Sequence, residues 1–110
     1  MLGQRRYERA AFFCPLHLTV LPNGPVVPGR SFDISIREVG VTTEILLERG
    51  QTVRIQFHLP NGSQEEVDEE VLGRVAHSRA DEGGDRIGIE FLDTIGEAMY
   101  PVLAHKLSTL

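Results

Sequence analysis

The sequence predicts an all-β protein in which six short antiparallel strands form a sandwich or barrel and a C-terminal helix closes it. The first observation is the strict alternation of apolar and polar residues in residues 52–59, which is the pattern of a half-buried strand. The second is a set of turn signals rich in Pro, Gly, Asn and Asp, at residues 22–25, 60–62 and 81–85. The third is the near-helical spacing of apolar residues after residue 96.

Each element has its own signal. Pro15 in the first strand indicates an edge position or a bulge. Pro101 lies inside the helical stretch, where proline is tolerated in a first turn. The predicted strands are residues 12–21, 30–35, 39–45, 52–59, 67–77 and 86–92. We predict a single domain over residues 1–110, made of a flexible arginine-rich arm (1–10), a barrel (11–93) and a C-terminal helix (96–110).

Composition limits the class of protein. Hydrophobic residues make up 41% of the 110 residues and charged residues 25%, which is ordinary for a globular domain. The single cysteine, Cys14, excludes a disulfide framework. No apolar run approaches the ~20 residues of a membrane span, and the charged N-terminus lacks a signal peptide's apolar stretch. A cytoplasmic protein without membrane insertion is therefore expected.

Charge argues against DNA or RNA as a partner, because a net charge of −5 does not supply the basic face that grips nucleic acid. All basic residues except Lys106 are arginines, and several of them lie near the N-terminus. Arginine pairs bidentately with phosphate and stacks on flat rings, so this end suits a small anionic ligand with flat bases. The acidic run at residues 65–70, EEVDEE, is predicted to be a solvated strand edge.

Two segments carry the candidate binding chemistry. Arg5, Arg6 and Arg9 precede the first predicted strand, and their guanidiniums can bind phosphates and the O6/N7 edge of guanine. Asp33 and Ser35 lie near a strand end, where a carboxylate can accept hydrogen bonds from guanine N1–H and N2–H₂. Two residues apart on an extended strand, both side chains are expected on one face.

Together these motifs resemble the PilZ domain family, whose signature is R-x-x-x-R followed by D/N-x-S-x-x-G. Arg5 and Arg9 match the paired arginines, and Asp33 and Ser35 match the second motif. The resemblance covers residue 5 to about residue 107, because segments similar to later family strands follow in the family's order: VGVTTE (39–44), TVRIQFHLP (52–60), LGRVAHS (72–78) and RIGIEFLD (86–93). It implies a six-stranded antiparallel β-barrel that binds bis-(3′,5′)-cyclic di-GMP, a bacterial second messenger, and signals through a protein partner.

The chain departs from the family motif at one position. Glu38 stands in place of the motif glycine, and Gly40 is out of register with it. A glycine there provides a positive φ or a close approach of backbone to ligand, and glutamate suits neither. Its charge also opposes a ligand with two phosphates, and the neighbouring Arg37 is expected on the opposite strand face. Weakened binding of cyclic di-GMP is expected. The alternative is a degenerate PilZ adaptor that does not bind cyclic di-GMP and acts only by protein–protein interaction.

A third hypothesis, a small hydrolase or metal enzyme, has less support. A serine and an aspartate two residues apart lack the nucleophile elbow and separation of a hydrolytic triad. The histidines and the cysteine show no metal-ligand spacing such as H-x-x-x-H or C-x-x-C: His17, His58, His77, His105 and Cys14. We therefore expect a non-enzymatic protein with no metal site and no cofactor.

Overall fold

The computed structural model describes residues 9–61 and 65–110, which form seven β-strands and one α-helix. The elements are β1 (Ala10–Ala11), β2 (Pro15–Val20), β3 (Val26–Ile34), β4 (Glu38–Thr43), β5 (Thr52–Asn61), β6 (Glu65–Arg79), β7 (Asp85–Phe91) and α1 (Pro101–Ser108). Of the arm predicted over residues 1–10, residues 1–8 lie outside the described part of the chain, and Ala10 belongs to a strand.

The strands form a closed antiparallel sheet. Their order is β3-β2-β5-β6-β7-β4, and β4 pairs back with β3 to complete a six-stranded barrel. The N-terminal part of β3 pairs with β2. On the same side of β3, its C-terminal part pairs with the short strand β1. The predicted six-stranded antiparallel barrel with a C-terminal helix is confirmed, with β1 as an additional strand. Closure leaves the barrel strands few unpaired edges.

Strand β3 begins earlier than the sequence predicts. The strand predicted over residues 30–35 begins at Val26 in the structure and ends at Ile34. Pro28 is tolerated because the pairing of β3 with β4 begins only at Gly29, so Pro28 has a partner strand on one side alone. The strand predicted over residues 39–45 is also shorter than expected and ends at Thr43.

The barrel interior is filled by the alternating apolar residues. In β5, Val53, Ile55, Phe57 and Leu59 are all fully buried, which confirms the alternation. Apolar residues of the other strands complete the core, among them Leu16, Leu18, Ile34, Val39, Val41, Val71, Val75, Ile87 and Ile89. Burial of this many large aliphatic side chains stabilises the fold through the hydrophobic effect. Many outward positions carry polar side chains, with Val26 and Leu72 as exposed apolar exceptions.

The C-terminal helix is shorter than predicted. It spans Pro101–Ser108, and residues 97–99 form a turn before it. Proline in the first turn fixes the start, because its ring cannot continue a helix in the preceding turn. Leu103 is fully buried and fixes the helix against the barrel. Within the described residues, no helix has the length and apolar character needed to cross a membrane.

A buried carboxylate on β6 anchors this helix. Glu69 accepts hydrogen bonds from the backbone N–H groups of Val102 (2.9 Å) and Leu103 (2.8 Å). These N–H groups have no partner within the helix, and the helix dipole favours a negative charge at this end. Glu69 is only 8% exposed, so the prediction that all of EEVDEE is a solvated edge is wrong at this position.

Candidate functional site

An open cavity of about 550 Å³ lies on the outer face of the barrel, where β3, β4, β6 and β7 run side by side. Its walls combine three guanidiniums with one carboxylate, one imidazole and one aromatic ring. The lining residues are Arg9, Phe32, Asp33, Gly40, His77, Ser78, Arg79, Arg86 and Ile87. A convex barrel surface does not by itself form a hollow, so local features of the strands must create it.

Two paired glycines lower the surface at this point. Gly40 on β4 lies opposite Gly88 on β7. A Cβ on Gly40 would meet the Asp33 carboxylate, and would lie 2.6 Å from Cζ of Phe32. A Cβ on Gly88 would meet the His77 ring. The side chains of neighbouring strands therefore lie directly over glycine backbone, which only glycine permits.

Two β-bulges turn those side chains outward. In β3, Ser31 pairs with Val41 and Asp33 pairs with Gly40, so Phe32 is the additional residue. In β6, Val75 pairs with Ile89 and His77 pairs with Gly88, so Ala76 is additional: the two bulges flank the glycine pair. A bulge places two residues against one and re-aims the side chains beside it. Phe32, Asp33 and His77 consequently reach the cavity.

Arg9 is held at the cavity by two carboxylates. Its Nε and Nη2 donate to the two oxygens of Asp33, at 3.1 and 2.8 Å, in a bidentate pair. Its Nη1 donates to Oε1 of Glu38 at 2.8 Å. The hydrogen bond to Asp33, followed by the one to Glu38, raises the pKa of Arg9 against the opposing effect of burial. The structure thus brings together Arg9 and Asp33, two residues of the predicted site, and adds Glu38.

The far wall of the cavity is basic and aromatic. The guanidinium of Arg86 lies over the ring of Phe32, 5.1 Å from its centroid. Asp81, in the β6–β7 turn, forms ion pairs with both arginines: its Oδ2 lies 3.2 Å from Arg86 Nε and 3.9 Å from Arg79 Nη2. A guanidinium and a ring in this arrangement offer flat surfaces for stacking, and the remaining N–H groups can meet phosphate oxygens.

Ser35 does not lie where the sequence suggested. β3 ends at Ile34, so Ser35 belongs to the β3–β4 turn and does not continue the strand face of Asp33. Its Oγ accepts hydrogen bonds from the backbone N–H groups of Arg37 (3.0 Å) and Glu38 (3.1 Å). Ser35 is buried and is not among the cavity-lining residues. Its hydroxyl shapes the turn that delivers Glu38 to Arg9.

The backbone at Glu38 is ordinary strand. Glu38 is the first residue of β4 and pairs with Glu90, and no described residue other than glycine has a positive φ. The expectation that glutamate strains a glycine conformation here is therefore not supported by the geometry. Arg9 rather than Arg37 is the cation whose ion pair with Glu38 is seen, at 2.8 Å.

The remaining predicted residues, Arg5 and Arg6, lie outside the described residues. Sequence reasoning missed Arg79, Arg86 and Phe32, which line the cavity. No local motif marks them, because they come from three strands and meet only through register. The available signal was a pair of arginines flanking the DEGGD turn, since hairpin residues on both sides of a turn lie close together.

Two features lie outside the cavity. The ligand atoms of His58, Glu66 and Asp68 lie within 4.8 Å of one another, and a metal ion could be held there. The linear spacing of histidines could not reveal this group, because it joins two strands.

Cys14 is buried, and burial is the main cause that raises the pKa of its thiol to about 11, so it is not a reactive thiolate at neutral pH.

A small closed β-barrel with a basic, aromatic-walled cavity on its outer face is the class of domain that the fold and the site define. The PilZ domain family model matches residues 3–103, nearly the whole chain, and the chain belongs to this family. The resemblance of the motifs to PilZ domains is thereby confirmed. No curated protein matches the sequence.

Solved structures with similar folds include PilZ proteins. The chain is similar to the inhibitor of motility MotI (DgrA) of Bacillus subtilis, with a TM-score of 0.74 and 14% identity over 98% of this chain and 52% of that one. It is also similar to the PilZ domain of YcgR from Escherichia coli with cyclic di-GMP, with a TM-score of 0.69 and 15% identity over 97% and 93% of the two chains. The chain spans about half the length of the MotI chain. Likenesses at these identities establish the fold.

Proposed function

We propose that this domain is a receptor for cyclic di-GMP that binds the nucleotide reversibly in the outer cavity and signals through contacts with a protein partner. The observation that carries the proposal is the convergence of Arg9, Arg79 and Arg86 on one cavity that also contains Asp33. Such a cavity supplies cations for two phosphates and an acceptor for a guanine edge. Family membership supports the same ligand.

Each group has a chemical role in this proposal. Asp33 accepts hydrogen bonds from guanine N1–H and N2–H₂, and the guanidinium of Arg9 turns towards a phosphate or towards guanine O6 and N7. Phe32 and Arg86 form a stacking surface for a base. In this proposal Arg5 and Arg6, which lie outside the described residues, add further donors for the ligand. Their contact with the ligand changes the surface that is presented to a partner.

Glu38 weakens this binding in the proposal. It accepts a hydrogen bond at one edge of the Arg9 guanidinium, and together with Asp33 it leaves a local charge of −1, from one positive and two negative groups. A phosphate must therefore compete with a carboxylate for Arg9. Because Glu38 is not among the residues lining the cavity, it opposes the ligand by charge and does not fill its space.

The second candidate is an adaptor that retains the fold and does not bind the nucleotide. The observation in its favour is that two carboxylates already take three hydrogen bonds from Arg9. In either case we propose a cytoplasmic, non-enzymatic bacterial protein with an unidentified protein partner. The nucleotide titration below separates the two candidates.

Isothermal titration of the full chain with cyclic di-GMP tests the proposal. About 100 µM protein at low salt detects dissociation constants near that concentration, which correspond to roughly −5 kcal/mol. We expect saturable binding of cyclic di-GMP and far weaker binding of GTP or ATP. If the titration releases no heat, and if NMR spectra show no chemical-shift change on addition of cyclic di-GMP, the protein is the second candidate, an adaptor that does not bind the nucleotide.

Arg9→Ala should weaken binding about ten- to a hundredfold, the loss of a charge-assisted bidentate contact. Arg49→Ala is the matched control, because Arg49 is exposed and lies outside the cavity. Arg9→Ala should also lower the free energy of unfolding by about 1 kcal/mol, since it leaves Asp33 and Glu38 facing each other without a cation. Equal affinity of Arg9→Ala and the parent for cyclic di-GMP would show that Arg9 does not bind the ligand.

A further inference from the structure

A second group of polar side chains lies on the outer face of β5 and β6, near the end of β6 opposite to the cavity. His58 Nδ1 is 2.8 Å from Asp68 Oδ1 and 3.5 Å from Glu66 Oε2. We propose that His58, Glu66 and Asp68 form a binding site for a divalent transition-metal ion that accepts imidazole and carboxylate ligands, with Zn²⁺ as the reference ion. This site is independent of the proposed nucleotide cavity.

Strand register brings the three ligands together. His58 and Asp68 are direct partners across β5 and β6, and Glu66 faces Pro60, two residues further along the same face. Phe57 and Leu59, the neighbours of His58 in the chain, are fully buried, so His58 points outward. The site is therefore built on the paired strands of a long hairpin, where backbone pairing fixes the separation of the ligands.

The separations suit a metal ion. Imidazole nitrogen and carboxylate oxygen bind Zn²⁺ at about 2.0–2.2 Å, so neighbouring ligand atoms are roughly 3 Å apart in tetrahedral or octahedral geometry. The observed separations of 2.8 and 3.5 Å from His58 Nδ1 bracket this value. The ion would meet one neutral nitrogen and two carboxylates and would neutralise both charges. Three protein ligands leave further positions for water.

The groups behind the ligands form the outer layer that a metal site requires. A metal-bound histidine donates its other ring N–H to an acceptor, which fixes the ring. His58 Nε2 lies 2.7 Å from Nδ1 of His17 on the adjacent strand β2, with the two rings nearly perpendicular at 80°. Gln56 donates to Oδ2 of Asp68 at 3.1 Å, which leaves Oδ1 facing His58. Both supporting contacts orient a ligand atom towards the same point.

Metal binding at Nδ1 predicts a coupled change of tautomer in two rings. With both rings neutral and no ion bound, a proton on His58 Nδ1 that Asp68 accepts requires Nε2 to accept from Nδ1–H of His17. With an ion on Nδ1, the His58 proton resides on Nε2 and donates to His17 Nδ1, whose own proton then resides on Nε2. The number of protons is unchanged, and both rings switch tautomer together.

Two measurements on the full chain test the site. Calorimetric titration of about 100 µM protein with ZnCl₂ in a non-chelating buffer should show one equivalent bound, with Ca²⁺ and Mg²⁺ much weaker because they prefer oxygen ligands. Long-range imidazole ¹⁵N spectra should show His17 and His58 changing tautomer on addition of Zn²⁺, whereas the exposed His105 stays unchanged. A purely acidic surface patch would move neither ring.

Variants complete the test. His58→Gln and Asp68→Asn should abolish stoichiometric Zn²⁺ binding, and His17→Ala should weaken it about ten- to a hundredfold, the usual effect of removing such a supporting contact. His105→Ala is the control that keeps full binding. Thermal unfolding in EDTA verifies that each variant folds. Unchanged Zn²⁺ affinity in His58→Gln or Asp68→Asn, no saturable binding to the parent, or equal affinity for Ca²⁺ would each overturn the proposal.

Discussion

Replacing Glu38 by glutamine separates the effect of its charge from that of its shape. Glu38 Oε1 accepts from Arg9 Nη1 at 2.8 Å, while Asp33 accepts from Nε and Nη2. The local charge is −1 in the parent and 0 in Glu38→Gln, since one of the two carboxylates becomes neutral. The glutamine keeps the length of the side chain, so the space beside the cavity is unchanged. Any gain in nucleotide affinity then comes from electrostatics.

The size of the gain follows from two contributions. The Arg9 and Glu38 side chains are 24% and 34% exposed, and an ion pair so near the surface contributes about 0.2–1 kcal/mol. Removing one negative charge at roughly 6 Å from a phosphate contributes about 1 kcal/mol in a largely aqueous dielectric. The sum, about 1–2 kcal/mol, corresponds to roughly five- to thirtyfold tighter binding. Since no described non-glycine residue has a positive φ, Glu38→Gly should gain little beyond Glu38→Gln.

Calorimetric titration of cyclic di-GMP into the parent, Glu38→Gln and Glu38→Gly gives the comparison, with Glu97→Gln as a control that removes one exposed charge away from the cavity. The gain should shrink at about 0.5 M salt, because screening shortens electrostatic interactions. Tighter binding in the glycine variant alone would show that shape is the obstacle and refute the electrostatic argument. Equal affinity in all three proteins would show that Glu38 does not affect the ligand.

Three further predictions concern Gly40 in the cavity, Glu69 beneath the helix and the buried Cys14. Gly40→Ala should weaken cyclic di-GMP binding at least about tenfold, because its Cβ displaces the side chains over β4; Gly96→Ala, with open space around its Cβ, is the control. Glu69→Ala should lower the free energy of unfolding by about 2 kcal/mol in thermal melts, and the exposed Glu70→Ala by less than about 0.5 kcal/mol. Burial raises the Cys14 pKa from 9.0 to about 11, so the thiol's contribution to stability is complete below pH 9 and is lost between pH 9 and 11. The free energy of unfolding should therefore fall less between pH 9 and 11 in Cys14→Ala than in the parent. Equal pH profiles of unfolding in the two proteins would contradict this prediction.

Local patterns in the sequence predicted the barrel and one half of the site. The alternation in residues 52–59 predicted the inward face of β5, because a strand buries every second residue whatever its partners are. The arginine arm and the D-x-S motif predicted that Arg9 and Asp33 act together, and the structure joins them in a bidentate pair. In these cases the information lies within a short segment or a motif.

Features that depend on register could not be predicted in the same way. The bulges at Phe32 and Ala76 each insert one residue, and the apolar pattern does not show where the pairing shifts. The basic wall of Arg79 and Arg86 therefore went unrecognised. His58 likewise meets Asp68 only because β5 and β6 pair in one register. A shift of one residue would place them on opposite faces.

Gly40 explains why a glutamate at position 38 leaves the cavity open. Residues 38 and 40 are two apart on β4 and share the outward strand face. Close approach of side chains to backbone occurs at Gly40, where a Cβ would meet the Asp33 carboxylate and the ring of Phe32. Glu38 stands at the strand start and reaches Arg9 from the side. The steric requirement for glycine and the change of charge therefore fall on different residues, and in the proposed function Glu38 opposes the nucleotide through its charge. Replacing the glycine at position 40, by contrast, adds a Cβ that pushes the Asp33 and Phe32 side chains away from the β4 backbone.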